Sequence, residues 1–373
     1  MSEKTIPIAH VHLTSDEIDA VVDVLRSGNL RQGKKTAAFE QAFAKAVGAR
    51  EAVAVSSGTA ALHVAYLSTI GEGDEVLVPA FSHISTASMV HFSGGVPVFC
   101  DIDPRTYTMD VEDAAARITE KTRAIAPVHL YGNACDVLAV QTLCRERDLV
   151  VIWDAAQAHG TRHRGQDIGS LGDLVCYSFY PTKNMITGEG GMITTNSPEL
   201  AQACRLLRSH GQTEKYYHPQ LGLNYRMTDI AAAIGLGQLQ KLPEYIRARR
   251  ANAERLTASL SEVPGLTTPY VAPEVEHSFH QYTLRVDPNV MGVSRDEFAD
   301  ALRNERLGIG IHYPRPLHLQ PAFDGIAKSV RLPVCEECSD TVLSIPVHPF
   351  VSESDLDRVI EAIKSVAGRI GLA

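Results

Sequence analysis

Three short segments carry side chains whose types and positions could do chemistry together. The first is Val55-Ser56-Ser57-Gly58-Thr59, between an apolar β-like run and a helix-like run that begins Ala60-Ala61-Leu62. Small residues at a strand-to-helix turn let backbone N–H groups approach a phosphate, and the positive end of the helix dipole favours that dianion. Taken alone, the same residues also fit a plain tight turn with Thr59 as helix cap. The second segment, Val150 to Gly160, is an apolar strand ending in Asp154, with Gln157 three residues on. Strand carboxyl ends border the ligand crevice of an open α/β sheet, so Asp154 is placed to meet a cationic group; alone, it could simply cap a turn. The third runs from Leu174 through Ser178 to Lys183 and Asn184, followed by Gly188-Glu189-Gly190-Gly191. A lysine just past a buried strand, among glycine-rich backbone, can be desolvated and become a usable amine nucleophile.

A phosphate cradle, a strand-end carboxylate and a strand-end lysine, in order around one sheet, are what pyridoxal 5'-phosphate requires. Its aldehyde takes a lysine, its protonated pyridine nitrogen a carboxylate, and its phosphate N–H and hydroxyl donors. Other motifs fail. Gly28-Asn-Leu-Arg-Gln-Gly33-Lys34 imitates a P-loop, but Lys35 stands where a magnesium-binding Ser or Thr belongs, and a helix-like run, Glu17 to Arg26, precedes it. No G-x-G-x-x-G follows a strand and no G-x-S-x-G occurs. Cys335-Glu-Glu-Cys338 has no second Cys or His pair nearby, and the histidines lack metal spacing, so no metal is expected.

The elements that must position these residues are legible as alternation. Between residues 50 and 195, seven β-rich runs alternate with helical patterns, the signature of an α/β domain with a mostly parallel sheet. The runs are Ala52 to Val55, Glu75 to Val78, Pro97 to Cys100, Arg123 to Val128, Leu149 to Asp154, Leu174 to Phe179 and Met192 to Thr195. Asp136 to Arg147 carries the apolar face of an amphipathic helix. From Thr228 the pattern is helical through Leu239, and Pro243 is expected to open a second helix reaching about Glu262. A strand over Gln281 to Val286, a helix over Ser294 to Glu305 and a final helix from Ser352 to about Gly368 follow. The expected division is a large α/β domain over 1–240, including an N-terminal arm, and a small α+β domain over 241–373.

The 373 residues are 45% hydrophobic and 21% charged, which excludes fibrous and disordered classes. Net charge is −9, from 35 Lys and Arg against 44 Asp and Glu, which disfavours nucleic acid as a partner. The first residues lack the apolar core of a signal peptide, and no run of about 18 apolar residues exists to span a membrane. Seven scattered cysteines suit reduced thiols. The chain reads as cytoplasmic.

The whole pattern resembles the DegT/StrS-type sugar aminotransferases, pyridoxal phosphate enzymes of fold type I, the aspartate aminotransferase fold. The likeness is carried by SSGTAAL, DEVLVPAFSHISTA, GGVPVFCDID, WDAAQAHG, GDLVCYSFYPTKN with GEGGMITT, LGLNYRMTDIAAAIGLGQL and IHYPRPLHLQPAF. The resemblance implies that Lys183 is the Schiff-base lysine and proton carrier, that Asp154 pairs with the pyridine nitrogen, and that Gln157 donates to the phenolic oxygen. It assigns Ser57, Gly58, Thr59 and Ser178 to the phosphate, and Asn224 to the phosphate of the neighbouring subunit, in a homodimer with shared active sites. The ring-stacking position, usually Phe, Tyr or Trp in the family, aligns with His83, with Phe81 as the alternative. Arg226 would bind a substrate carboxylate, and His312 and Tyr313 the sugar end; surface or interface contacts are equally open for these three.

A related branch, the sugar 3-dehydratases, has His at the lysine position, so Lys183 implies transamination. The implied reaction moves nitrogen from an amino acid, by family expectation L-glutamate, to a nucleotide-linked keto sugar, in cell-surface polysaccharide or secondary-metabolite biosynthesis. An aminotransferase acting on a cyclitol or other keto compound, and a regulatory member that binds the cofactor without turnover, stay open.

Overall fold

Short runs of Val, Ile and Ala flanked by Gly, Asp and Pro dictate the first layer. The computed structural model describes residues 4–327 and 329–370, and in it all seven expected runs form one sheet. Its spatial order is Glu51–Val55, Gly191–Thr195, Leu174–Ser178, Val150–Asp154, Thr122–Ile125, Glu75–Pro79, Val96–Cys100. The Gly191–Thr195 strand runs antiparallel to both neighbours, and every other pairing is parallel. The fold is thus α/β with a seven-stranded, mostly parallel sheet.

Parallel strands buried on both faces read as continuous apolar runs, and successive side chains go to opposite sides. Val53, Val78, Ile152 and Cys176 face the helices Gly58–Leu67, Ser85–Phe92 and Pro198–Arg208. Ala54, Leu77, Trp153 and Tyr177 face Lys34–Val47, Val137–Arg147 and the start of Asp229–Leu260. Asp136 caps the expected amphipathic helix, its carboxylate accepting from the Ala139 N–H at 3.0 Å.

The pair of helices expected around Pro243 is instead one continuous helix, Asp229–Leu260. A proline in a helix interior costs about 3 kcal/mol relative to alanine. Contacts on either side hold this one. Lys241 pairs with the buried Glu17 at 2.6 Å, and Arg249 donates to the carbonyls of Phe279 and His280. The far end of the helix packs Ala253, Leu256 and Leu260 into a second core. There the antiparallel sheet Leu266–Thr267, Tyr282–Val286, Val342–Ile345 lies with the helices Arg295–Asn304 and Glu353–Ile370.

The loop that imitates a P-loop is filled from within the chain. The Asp229 carboxylate accepts from the N–H groups of Gly33, Lys35 and Thr36 at 2.8, 3.2 and 2.9 Å. Cys335 and Cys338 are buried in the helix Pro333–Thr341, and all seven cysteines are free thiols. Among the described residues no helix is long and apolar enough to cross a membrane, and no group of three or more His, Cys, Asp or Glu could hold a metal ion.

Candidate active site

The carboxyl ends of five sheet strands and the turns after them surround a cavity of about 490 Å³, within the usual range for small-molecule sites. Ser57, Gly58, Thr59, His83, Asp154, Gln157, Ser178, Lys183 and Tyr313 all line it. Asn224, Arg226 and His312 do not.

At one end the helix Gly58–Leu67 begins. Ser57, not Thr59, is its cap, accepting from the Ala60 N–H at 3.0 Å. The first-turn N–H groups of Gly58 and Thr59 have no acceptor within the helix. Strand and helix meet closely here: a Cβ on Gly58 would lie 2.6 Å from the Ser178 Cβ. Only glycine lets the Ser178 hydroxyl and these N–H groups converge.

Asp154 is 4% exposed, yet both its oxygens have donors. Thr86 Oγ1 donates to Oδ2 at 2.8 Å and the Ala156 N–H to Oδ1 at 3.1 Å. Ser82 Oγ lies 2.9 Å from Thr86 Oγ1, extending the chain of hydroxyls. Gln157 Oε1 accepts from the Tyr131 N–H at 2.8 Å, and Nε2 donates to the Tyr313 hydroxyl at 2.7 Å, leaving one amide proton. Tyr131 and Tyr313, on either side of that amide, have φ of 58° and 59°. Non-glycine residues held there cost strain, and such strain clusters at functional sites.

Lys183 sits on the turn that follows the Leu174–Ser178 strand, its N–H bonded to the Tyr180 carbonyl at 2.9 Å. Burial lowers its amine to about 8, against the opposing pull of Asp154. The His83 ring faces the cavity with Nδ1 2.7 Å from Ser85 Oγ. The protein around it lowers its pKa, with Asp154 opposing and Lys183 assisting, which favours a neutral ring. Phe81 is fully buried against Tyr313 and is not a lining residue, so of the two ring candidates only His83 meets the cavity. His312 lies nearby, its Nε2 without a partner, and burial, then Lys183, lowers its pKa to about 4.

The sequence model of the DegT/DnrJ/EryC1/StrS aminotransferase family matches residues 11–364. The chain belongs to this family. It is 39% identical over 367 residues to GDP-perosamine synthase of Caulobacter vibrioides, covering 97% of this chain and 98% of that one. It is 37% identical to the spore coat polysaccharide biosynthesis protein SpsC of Bacillus subtilis, covering 97% of each. Among solved structures, DesV of S. venezuelae in complex with a ketimine intermediate superposes with a TM-score of 0.94 at 35% identity, over 99% of this chain and 100% of that one.

DegT-family aminotransferases are pyridoxal phosphate-dependent, and this cavity suits that group. The Gly58–Ser178 cradle is one that a Cβ would fill, and the remaining Gln157 amide proton and the Asp154 carboxylate supply a donor and an anion for the ring. Thr86 and Ser82 are two site residues the motif reading missed. Both stand in the quoted segment PAFSHISTA, but hydroxyls are common in loops, and only the folded chain brings Thr86 to Asp154. Tyr180, Thr182 and Glu189 also line the cavity and were not singled out. Asn224 and Arg226 lie outside it, tied to each other: Arg226 Nη2 donates to Asn224 Oδ1 at 2.8 Å and lies 3.2 Å from His210 Nε2.

Proposed function

We propose that this protein is a sugar aminotransferase that moves an amino group from an amino acid, L-glutamate, to a nucleotide-linked keto-deoxysugar, working in the cytoplasm as a homodimer. The observation that carries the reading is the convergence of Lys183, Asp154 and the Ser57-Gly58-Thr59 turn on one cavity. The sugar substrate is supported by the likeness to GDP-perosamine synthase and to DesV.

When bound, pyridoxal phosphate supplies an aldehyde that carries nitrogen and a ring that takes up electrons. The Gly58 and Thr59 N–H groups, with Ser178, would hold its phosphate. Asp154, oriented by Thr86 and the Ala156 N–H, would hold the ring-nitrogen proton. Gln157 would donate to the phenolic oxygen, and the His83 imidazole would lie against the ring face. Lys183 is then the group that takes and returns the proton at the substrate Cα, a task for which an amine titrating near neutrality is suited. Donor and acceptor use this one place in turn.

Among the described residues, Lys183 is the only Lys or Arg that lines this chain's cavity. A donor carboxylate therefore needs a cation from elsewhere, and Arg226 of the partner subunit, beside the partner's Asn224, is the group we assign.

The test has two arms. Purified holoenzyme given L-glutamate alone should release 2-oxoglutarate in an amount set by the enzyme concentration, and Lys183→Ala should release none and lack the visible absorbance of lysine-bound cofactor. Thermal shift with UDP, GDP and dTDP should show stabilisation by at least one, since a ligand raises apparent stability only by binding the native state. Turnover by Lys183→Ala would overturn the lysine assignment; no response to any of the three nucleotides would overturn the nucleotide-linked acceptor.

A further inference from the structure

A second cavity, of about 270 Å³, shares no residue with the first. It lies where the helices Lys34–Val47 and Asp229–Leu260 cover the sheet, walled by Phe43, Val47, Leu239, Leu242 and Ile246. Gly160 also lines it, with φ at 76°, and a Cβ there would meet Ile246 at 2.8 Å.

Polar groups are set into this apolar wall. His159 is 1% exposed, and neither ring nitrogen makes a hydrogen bond of good geometry, although the Ser178 backbone interacts with the ring. Burial lowers its pKa to about 3, so the ring is neutral, with one donor and one acceptor to offer. Buried polar atoms without partners are uncommon and unfavourable, and one lining a cavity points to a ligand or water. Beside it stand the Tyr177 hydroxyl and the Asp167 carboxyl, which burial pushes up to about 7. Pro243, which also lines the cavity, has no N–H to give the carbonyl of Leu239, four residues earlier in the helix.

The outer lining carries arginines. Arg250 is paired with Glu276 at 3.1 Å. Arg162 and Arg247 are exposed and make no ion pair among the described residues. A hydrogen-bonding interior, apolar walls and guanidinium groups at the edge describe a ligand with an apolar ring, a hydroxyl and an anionic end.

We propose that this cavity is a non-catalytic binding site for a small aromatic hydroxy acid. The ring lies between Phe43, Leu242 and Ile246, the hydroxyl meets His159, and the carboxylate meets Arg162 and Arg247. The site also touches the catalytic turn from behind, because the His159 carbonyl accepts from Nδ2 of Asn184, the neighbour of Lys183, at 3.3 Å.

The test is calorimetric titration of the holoenzyme with 4-hydroxybenzoate, and with benzoate, which lacks the hydroxyl. One site per chain with a Kd of about 1 mM or tighter is expected for 4-hydroxybenzoate, and at least about tenfold weaker binding for benzoate. Leu242→Trp fills the cavity and Arg247→Glu reverses an exposed charge; each should weaken binding by about tenfold or more while transamination stays within about twofold of wild type. Arg247→Glu alters only the surface, so it decides the matter if Leu242→Trp does not fold. Three results would overturn the site. They are no saturable heat, as expected of a cavity holding water alone; equal affinity in wild type and Arg247→Glu; or displacement of the probe by L-glutamate, which would put it in the first cavity.

Discussion

A lysine amine is a base at neutral pH only where the protein makes its charge unwelcome, and Lys183 is such a case. The free side chain titrates near 10.4, and here burial brings it to about 8. In the apoprotein this carries a stability cost whose sign follows from proton counts. Below about pH 8 the amine is charged in both states, and the folded state bears the full cost. Between about pH 8 and 10.4 the unfolded chain binds a proton that the folded chain does not, so this group makes stability rise with pH across that window. Lys183→Met keeps the length and removes the charge. Because the side chain borders the solvent of the cavity, and Asp154 loses an attractive neighbour, the net gain is about 1 kcal/mol at pH 7 rather than the full shift. Urea unfolding of the two apoproteins at pH 7 measures it, and a less stable methionine variant would contradict the assignment of strain to this amine.

Elements matter here through how closely their ends approach. The start of the helix Gly58–Leu67 and the end of the strand Leu174–Ser178 are both anchored in the core, so the 2.6 Å contact that a Cβ on Gly58 would make has no flexible side-chain tip to absorb it. Gly58→Ala should therefore retain the fold but widen the cradle, lowering pyridoxal phosphate affinity by about tenfold or more. Fluorescence titration of the apoprotein reads this directly, and unchanged affinity would remove Gly58 from the phosphate site. The seven strands were legible because strands buried on both faces are continuous apolar runs whatever surrounds them. The single helix through Pro243 was not, because its survival depends on Glu17, more than two hundred residues away in the chain, holding Lys241. The two-residue strands Arg162–His163, Gln166–Asp167 and Val275–Glu276 escaped for a similar reason, being too short for periodicity and existing only as a paired ribbon. Thr86 was hidden likewise: its role is set by its 2.8 Å reach to a residue on another strand.

For the whole molecule, the decisive question is whether one chain completes its own site. Asn224 and Arg226 lie outside the cavity of their own chain, on the segment that leaves Tyr216, Tyr217 and Leu221 at 83, 63 and 95% exposure. Apolar side chains so clustered beside polar groups mark an interaction surface, and in a two-fold dimer each chain would offer the same segment to the other. If Asn224 and Arg226 serve the partner's cavity, the two halves of the site are separable by mutation. Lys183→Ala disables the cavity of its own chain. A chain carrying both Asn224→Ala and Arg226→Ala has an intact cavity but disables its partner's. Each homodimer is then inactive, whereas a mixed dimer has one site built from the wild-type halves of both chains. Random exchange makes about half the dimers mixed, each with one good site of two, so about a quarter of wild-type turnover should return on mixing. If all three residues served a single chain, every site in every mixture would lack one half or the other and no activity would appear. The rate at which activity returns also measures subunit exchange, and Leu221→Asp in both chains, by adding charge to the apolar surface, should accelerate that return.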